Sequence, residues 1–238
     1  ITPLVEGVTP TGKKLANQDY TVTLAQYGDY VTITDVVLDT AEDQVLNQAT
    51  EALGESAAQT IETIRYNVLK AGVNVFYANG SQRTDVNTTI SLALQRKITT
   101  ALTRQNAKRI TQIVKSTPDF RTEPVEAAFI ALTHPDLESD IRNMTGFIPT
   151  KQYGTVTPWE NEIGSVETVR YLQSTVFAPF PDGGGAKGSM RSTTGTNADV
   201  YPVLYLGRDA YGIVPLKGKD SLTPMVVNRK PASGDPLA

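Results

Sequence analysis

Between Thr40 and Ala71 the apolar residues Val45, Ala49, Leu53, Ala57, Ile61, Ile64 and Val68 recur at intervals of four and three. That spacing stacks them along a single face of an α-helix, and no pleated strand can use it. About 32 residues at about 1.5 Å per residue give a rod of about 48 Å, longer than a small domain is wide. The opposite face carries Glu42, Gln48, Glu51, Glu55, Gln59 and Glu62, so the helix lies on something rather than threading a core. Asp39 or Thr40 offers an N-cap, with Asp43 in the first turn where the helix dipole favours an acid. Gly72 supplies the stop. Whatever this chain folds into is organised around that rod.

Charge is partitioned along the chain. Leu15 to Ile64 contains no Lys or Arg but nine acids, among them Asp29, Asp35, Glu51 and Glu55, whereas Arg83 to Arg121 holds eight bases against Asp85 and Asp119. Such asymmetry marks either surfaces of opposite sign that meet between subunits or two solvated faces that differ. The totals nearly cancel, 22 Lys+Arg against 25 Asp+Glu for a net −3, so global charge gives no argument for a nucleic-acid or membrane surface. With 39% apolar and 20% charged residues the chain can bury a core, and 238 residues allow one large domain or two small ones.

Other segments read more locally. The first fifteen residues, rich in Pro and Gly, predict an extended loop. Tyr20, Val22, Leu24 and then Val31, Ile33 alternate with threonines, the period of strands with one covered face; Gln26 to Asp29 between them is a turn or a bulge. Val73 to Tyr77 predicts a short strand ending at Asn79-Gly80. Thr88 or Thr89 opens a second helix with Leu92, Ile98 and Leu102 on its apolar side. Arg109 to Lys115 reads as a strand, and Pro124 to Leu132 as a helical or extended apolar run. Pro135 sits in the first turn of a helix reaching Met144. Val166 to Tyr171, Val200 to Leu206 and Gly212 to Leu216 predict strands. Asp182 to Gly195 reads as a flexible loop. Irregular alternation of helices and strands points to an α+β fold with mixed sheets.

Chemistry is sparse. Cysteine is absent, which removes disulfides, thiolate metal sites and thiol catalysis together. The single histidine, His134, precedes a proline at a helix start, where capping or packing is the commoner role than general base. Gly183-Gly184-Gly185-Ala186-Lys187-Gly188-Ser189 resembles a phosphate cradle superficially, but Gly188 separates Lys from Ser and no helix follows. Asp136, Glu138 and Asp140 share a calcium loop's spacing, yet Ile141 and Phe147 stand where its Gly and bidentate Glu belong. The basic helix from Arg96 to Arg109 presents either a solvated face or contacts to phosphates; it lacks interleaved aromatic residues. The sequence predicts no enzyme, no metal and no cofactor. The longest apolar run, Val125 to Leu132, is far short of the roughly 20 residues of a membrane span.

The order of features is more specific than any one of them. LVEGVTPTGKKL, TVTLAQYGDYVTITD, the long helix to FYANG, EAAFIALTHPDLESDIRNMTGFIP, GSVETVRYLQST and DVYPVLYLGRDAYGIVPLKG follow one another. Together they resemble the major capsid protein of a podovirus-type family of tailed bacteriophages, built on the Hong Kong 97 type shell fold. That resemblance implies an icosahedral head shell of self-assembled hexamers and pentamers enclosing double-stranded DNA, assembled in a bacterial cytoplasm. Portal, scaffolding or decoration proteins would be its further partners. Residues 1–37 would form the tip and returning strand of an extended loop lying over a neighbour, and 38–87 a peripheral domain with the long helix as its spine. Residues 88–196 would form an axial domain, and 197–238 peripheral strands and the C-terminal segment. Intersubunit contacts are expected at Leu4, Val5, Val8, Lys13 and Lys14 of the loop, Glu51 and Glu55 of the spine, and Arg96 and Arg104 of the basic segment, with Gly183, Gly184 and Gly185 in an axial loop. Some related shells crosslink a loop Lys, but no motif here identifies an Asn partner for Lys13 or Lys14. Family members carry further sequence before the equivalent of Ile1 and beyond that of Leu237. The alternatives are an encapsulin-like nanocompartment shell, which shares the fold and encloses enzymes, and a non-viral binding module of mixed α+β type.

Overall fold

The computed structural model describes residues 45–114, 122–154 and 156–213, and before them only positions 6, 14, 17, 21, 23, 25, 27–34 and 36–37; the side chains of 113–114 and 122–124 are not described. The expected rod is α1, Val45–Lys70, 26 residues and about 39 Å long at about 1.5 Å per residue. Its expected N-cap lies outside the described residues. At the other end Ala71 and Gly72 donate to the carbonyls of Val68 and Leu69, and the helix stops. The stripe from Val45 to Ile64 is half-buried, whereas Val68 is 70% exposed. Tyr66 takes over where Val68 was expected, as the one buried residue of α1. Its ring meets Phe177 edge-on at 5.2 Å, its hydroxyl donates to the Ala178 carbonyl at 2.8 Å, and Lys70 Nζ sits over both the Tyr66 and Phe180 rings. The helix is thus docked on the rest of the described chain near its C-terminal end.

The remaining elements build one mixed sheet. Its strands are β1 (Ile110–Val114), β2 (Thr122–Thr133), β3 (Phe147–Pro149), β4 (Glu162–Val166), β5 (Val169–Gln173) and β6 (Leu204–Leu206). They are ordered β1-β2-β5-β4-β3, with β6 also on β2. Only β2 and β5 run parallel; the pairs of β2 with β1 and β6, of β3 with β4 and of β4 with β5 are antiparallel. β2 is the hub, with β5 along Phe129–Thr133, β6 opposite Ile130–Leu132 on its other side, and β1 along its first half. Its partners satisfy both edges, and Ala128, Phe129, Ile130 and Ala131 are all buried in succession instead of alternating, as in a strand covered on both faces. The run from Val125 is therefore extended, which its sequence left open. The second helix is α2, Leu92–Arg104, and a short α3, Glu138–Arg142, follows the 3-10 turn Pro135–Leu137. Phe129, Ala131, Ile141, Met144, Ile163, Val166, Val169 and Tyr171 form the core, with Ile90, Leu92 and Leu102 packed against it. Burial of each large apolar side chain stabilises by about 1.5–3 kcal/mol relative to exposure.

Several expectations are corrected. Val73 to Tyr77 forms no strand and Val73 is 95% exposed, and Val31 to Thr34 has no regular structure either. A period of two makes a segment competent to pair, but a strand exists only where a second backbone takes up its N–H and C=O groups. Tyr20, Val22 and Leu24 lie outside the described residues. The cap of α2 is Ser91, whose Oγ accepts from Leu94 N–H at 3.3 Å, not Thr88 or Thr89. The predicted strand Val166 to Tyr171 is a hairpin, because Glu167 turns the chain at φ +53° between β4 and β5. Of Val200 to Leu206, only Leu204–Leu206 is a strand, with Val200 in an isolated bridge to Phe180. Gly212 and Ile213 carry no strand, and Val214 to Leu216 lie outside the described residues.

Candidate functional site

His134 and the glycine triplet, two features that sequence reading weighed for chemistry, are in structural use. His134 caps the 3-10 turn, its Nδ1 accepting from Asp136 N–H at 3.1 Å. Among the described residues no group of three or more His, Cys, Asp or Glu is placed to hold a metal. The glycine triplet is not a cradle. Gly183, Gly184 and Gly185 donate their N–H groups to the carbonyls of Phe180, Ala198 and Val86, so none points outward to a phosphate.

The same bonds overturn the expectation of a flexible loop. Gly184 lies so close to two other backbone segments that a Cβ there would stand 2.2 Å from the Val86 carbonyl and 2.9 Å from that of Ala198. The glycines are there for close approach, not for freedom. Two carboxylates close the loop: Asp199 accepts from Asp182 N–H at 2.8 Å and from Thr193 N–H at 3.1 Å, and Asp182 accepts from Ser192 Oγ at 2.9 Å. Burial opposes ionisation of Asp199, but these backbone N–H groups outweigh it and hold the carboxyl below the usual range. Asp136 then ties the loop to the body, accepting from Tyr201 Oη at 2.7 Å and pairing with Arg191 at 2.8 Å. The Tyr201 hydroxyl, ahead of Arg191 and His134, lowers its carboxyl below the ordinary value. Burial first, and then Asp136, raises the Tyr201 phenol to about 12.

The residues expected at subunit contacts lie on the surface or outside the described residues. Glu51 and Glu55 are exposed on α1, and Lys14 is exposed before it; Leu4, Val5, Val8 and Lys13 lie outside the described residues. Arg96 is already engaged, its guanidinium donating twice to Glu167. That intrachain pair fixes the β4–β5 turn against α2. Arg104 is exposed, and Lys97 is exposed beside it with its Nζ 5.7 Å from the centre of the Phe76 ring. Neither has an acidic partner among the described residues. The structure thus brings Arg96, Lys97 and Arg104 to one side of α2. The spine acids sit on a different helix, and Gly183 to Gly185 are packed inside the loop.

Two concavities lie along α2. The first, about 340 Å³, is walled by Thr99, Thr103, Arg104, Arg109 and Phe129. The second, about 640 Å³, lies between α2 and the irregular 73–77 segment, lined by Phe76, Thr100, Ala101 and Gln105 together with the cations Arg96, Lys97 and Arg104. Sequence reading assigned Phe76 to a strand and missed the groove; the signal within reach was a basic helix following an apolar run with no pairing partner nearby. Solvent-facing apolar residues recur elsewhere, with Tyr27, Tyr30, Val31, Val73 and Val75 all at least half exposed.

A sequence model of phage capsid proteins matches residues 18–235, which is most of the chain. No curated protein sequence matches it. Among the described residues no helix is long and apolar enough to cross a membrane.

Proposed function

Because the chain belongs to the phage capsid protein family, with the coat role and virion location this implies, we propose that it is the major capsid protein of a tailed bacteriophage. On this reading copies associate as hexamers and pentamers into an icosahedral shell of the Hong Kong 97 type around double-stranded DNA, assembled in the host cytoplasm. The family match over residues 18–235 carries the proposal. The surface supports it: Tyr30 at 83% and Val73 at 95% exposure are apolar groups on segments without regular structure, the kind of surface that neighbouring subunits cover. In this arrangement α1 is the spine of a peripheral domain spanning 38–87, residues 1–37 are the end of the extended loop, and 88–196 form the axial domain. The strand β6, in the 197–238 segment, joins the sheet through β2, so the two regions share one hydrogen-bonded framework. Portal, scaffolding and decoration proteins would be the further partners.

Closing a shell requires contacts between unlike surfaces of successive copies. Exposed ion pairs are individually worth under about 1 kcal/mol and are screened beyond about 8 Å in physiological salt. Opposite charges therefore act chiefly on the rate of association, and apolar contacts on its persistence. The test is electron microscopy of the purified full-length protein combined with light scattering at low and high salt. Closed particles whose rate of formation falls with salt are expected. A protein that stays monomeric at every concentration would overturn the capsid reading, and particles forming at a salt-independent rate would overturn the electrostatic part.

A further inference from the structure

We propose that the groove between α2 and the 73–77 segment receives residues 27–31 of a second copy of this chain, with Tyr27 and Tyr30 on its apolar floor and Asp29 against Lys97 and Arg104. The proposal rests on the shell-forming reading above and names one contact within it. The groove has the two properties such a guest needs. Its floor, with Phe76 and Ala101, is apolar, and its rim holds two cations without an acidic partner among the described residues. Arg96 adds positive charge but is committed to Glu167.

The guest is matched in both respects. Tyr27, Tyr30 and Val31 are 64%, 83% and 52% exposed, the segment has no regular structure, and Asp29 accepts from its neighbour Tyr30 N–H at 2.8 Å and, at 3.5 Å, from Ser56 Oγ, with no cation on it among the described residues. Asp29 is exposed, and no Lys or Arg occurs between Leu15 and Ile64 to neutralise it locally. Two tyrosines entering an apolar groove beside Arg104 bring together residue types that dominate interface energies, and Asp29 supplies the charge opposite to the groove's cations. A tyrosine ring beside Lys97 would also place a second π-face on an ammonium that already faces Phe76.

The groove of the same chain is an unsuitable receptor. Asp29 lies 3.5 Å from Ser56, in the middle of α1. The 14 residues from Ser56 to Lys70 put it about 21 Å along the helix axis from the end that leads to Phe76. A neighbouring copy is under no such constraint, and each copy offers both a guest segment and a groove, the arrangement of a head-to-tail contact.

The absence of cysteine makes the test clean. Gly28→Cys adds a side chain into open space next to Asp29, and Thr100→Cys places a thiol on an exposed groove residue. The two single variants of the full-length protein are mixed, allowed to form particles, and treated with a short bifunctional maleimide. A covalent dimer is expected from the mixture and from neither variant alone. Particles that form normally but yield no mixed dimer would overturn this contact while leaving the capsid reading intact. Absence of particles from the unsubstituted protein would overturn both. As a second arm, Arg104→Glu should slow assembly by about fivefold, the ceiling for one exposed ion pair, and Asp29→Arg in the same chain should restore it. A restoration that fails while Arg104→Glu remains folded counts against the pairing.

Discussion

Replacing Gln95 by leucine should destabilise the sheet domain severely, although its neighbour Arg96 can be removed with little effect. Gln95 is fully buried in α2. Its Nε2 donates to the Val166 carbonyl at 2.8 Å and its Oε1 accepts from the Tyr171 hydroxyl at 2.6 Å. That hydroxyl lies 3.0 Å from the hydroxyl of Tyr205, so one glutamine links α2, the β4–β5 hairpin and β6. Burial pushes the Tyr171 phenol far up and that of Tyr205 to about 12, so both stay neutral donors throughout the ordinary pH range. Leucine keeps the volume and removes both bonds, each worth about 0.5–1.5 kcal/mol net, and leaving a buried partner unsatisfied adds about 1–3 kcal/mol. The expected loss is about 2–6 kcal/mol. Tyr171→Phe should cost about 1–3 kcal/mol by the same reasoning, and the two should be non-additive by at least about 0.5 kcal/mol because they share a bond. Trp159, the only tryptophan, precedes β4 and reports unfolding of this domain by fluorescence. Urea titrations of dilute, unassembled protein would measure all three variants and Arg96→Ala. A Gln95→Leu protein within about 0.5 kcal/mol of the parent, the scale of a surface substitution, would refute the network's role.

Two further outcomes follow from the loop. Gly184→Ala should abolish hydrogen-exchange protection of the 183–185 and 198 amides, since the new methyl meets backbone on two sides, whereas Gly28→Ala, facing open space, should leave it unchanged; protection surviving in Gly184→Ala would contradict the packing. The lowered carboxyl of Asp136 contributes stability that is present above the ordinary Asp value of about 3.9 and is lost as pH falls through the lower folded value. Proteolysis between 182 and 199 should therefore rise below about pH 4, and Asp136→Asn should show raised, flatter susceptibility across that range; identical pH profiles would remove Asp136 as the tie.

How much of this was legible beforehand varies with the range of the interaction responsible. The helical stripe, the stop at Gly72, the extended β1 and the capping role of His134 depend on residues a few positions apart, and each was readable from spacing. The sequence order also carried the family resemblance, because a long succession of segments is more specific than any one of them. Val31 to Thr34 and Val73 to Tyr77 were misread as strands because pleated periodicity states only a competence to pair. Pairing is completed by a backbone elsewhere, and the described chain supplies none.

The chain by itself determined where the rod runs, how its charge is divided and that cysteine chemistry is excluded. The tertiary structure alone decided the fate of its polar and glycine residues. Gln95 and Arg96 are adjacent and both hydrophilic, yet one is sealed in the core by groups 71 and 76 residues away and the other is paired at the surface. Arg170 lies buried in β5 near Glu162, and three consecutive glycines form a packed seam where composition suggests slack. The physical reason is common to all of them: periodicity is set by neighbours along the backbone, whereas burial, hydrogen-bond satisfaction and close backbone approach are set by whichever distant segments arrive alongside.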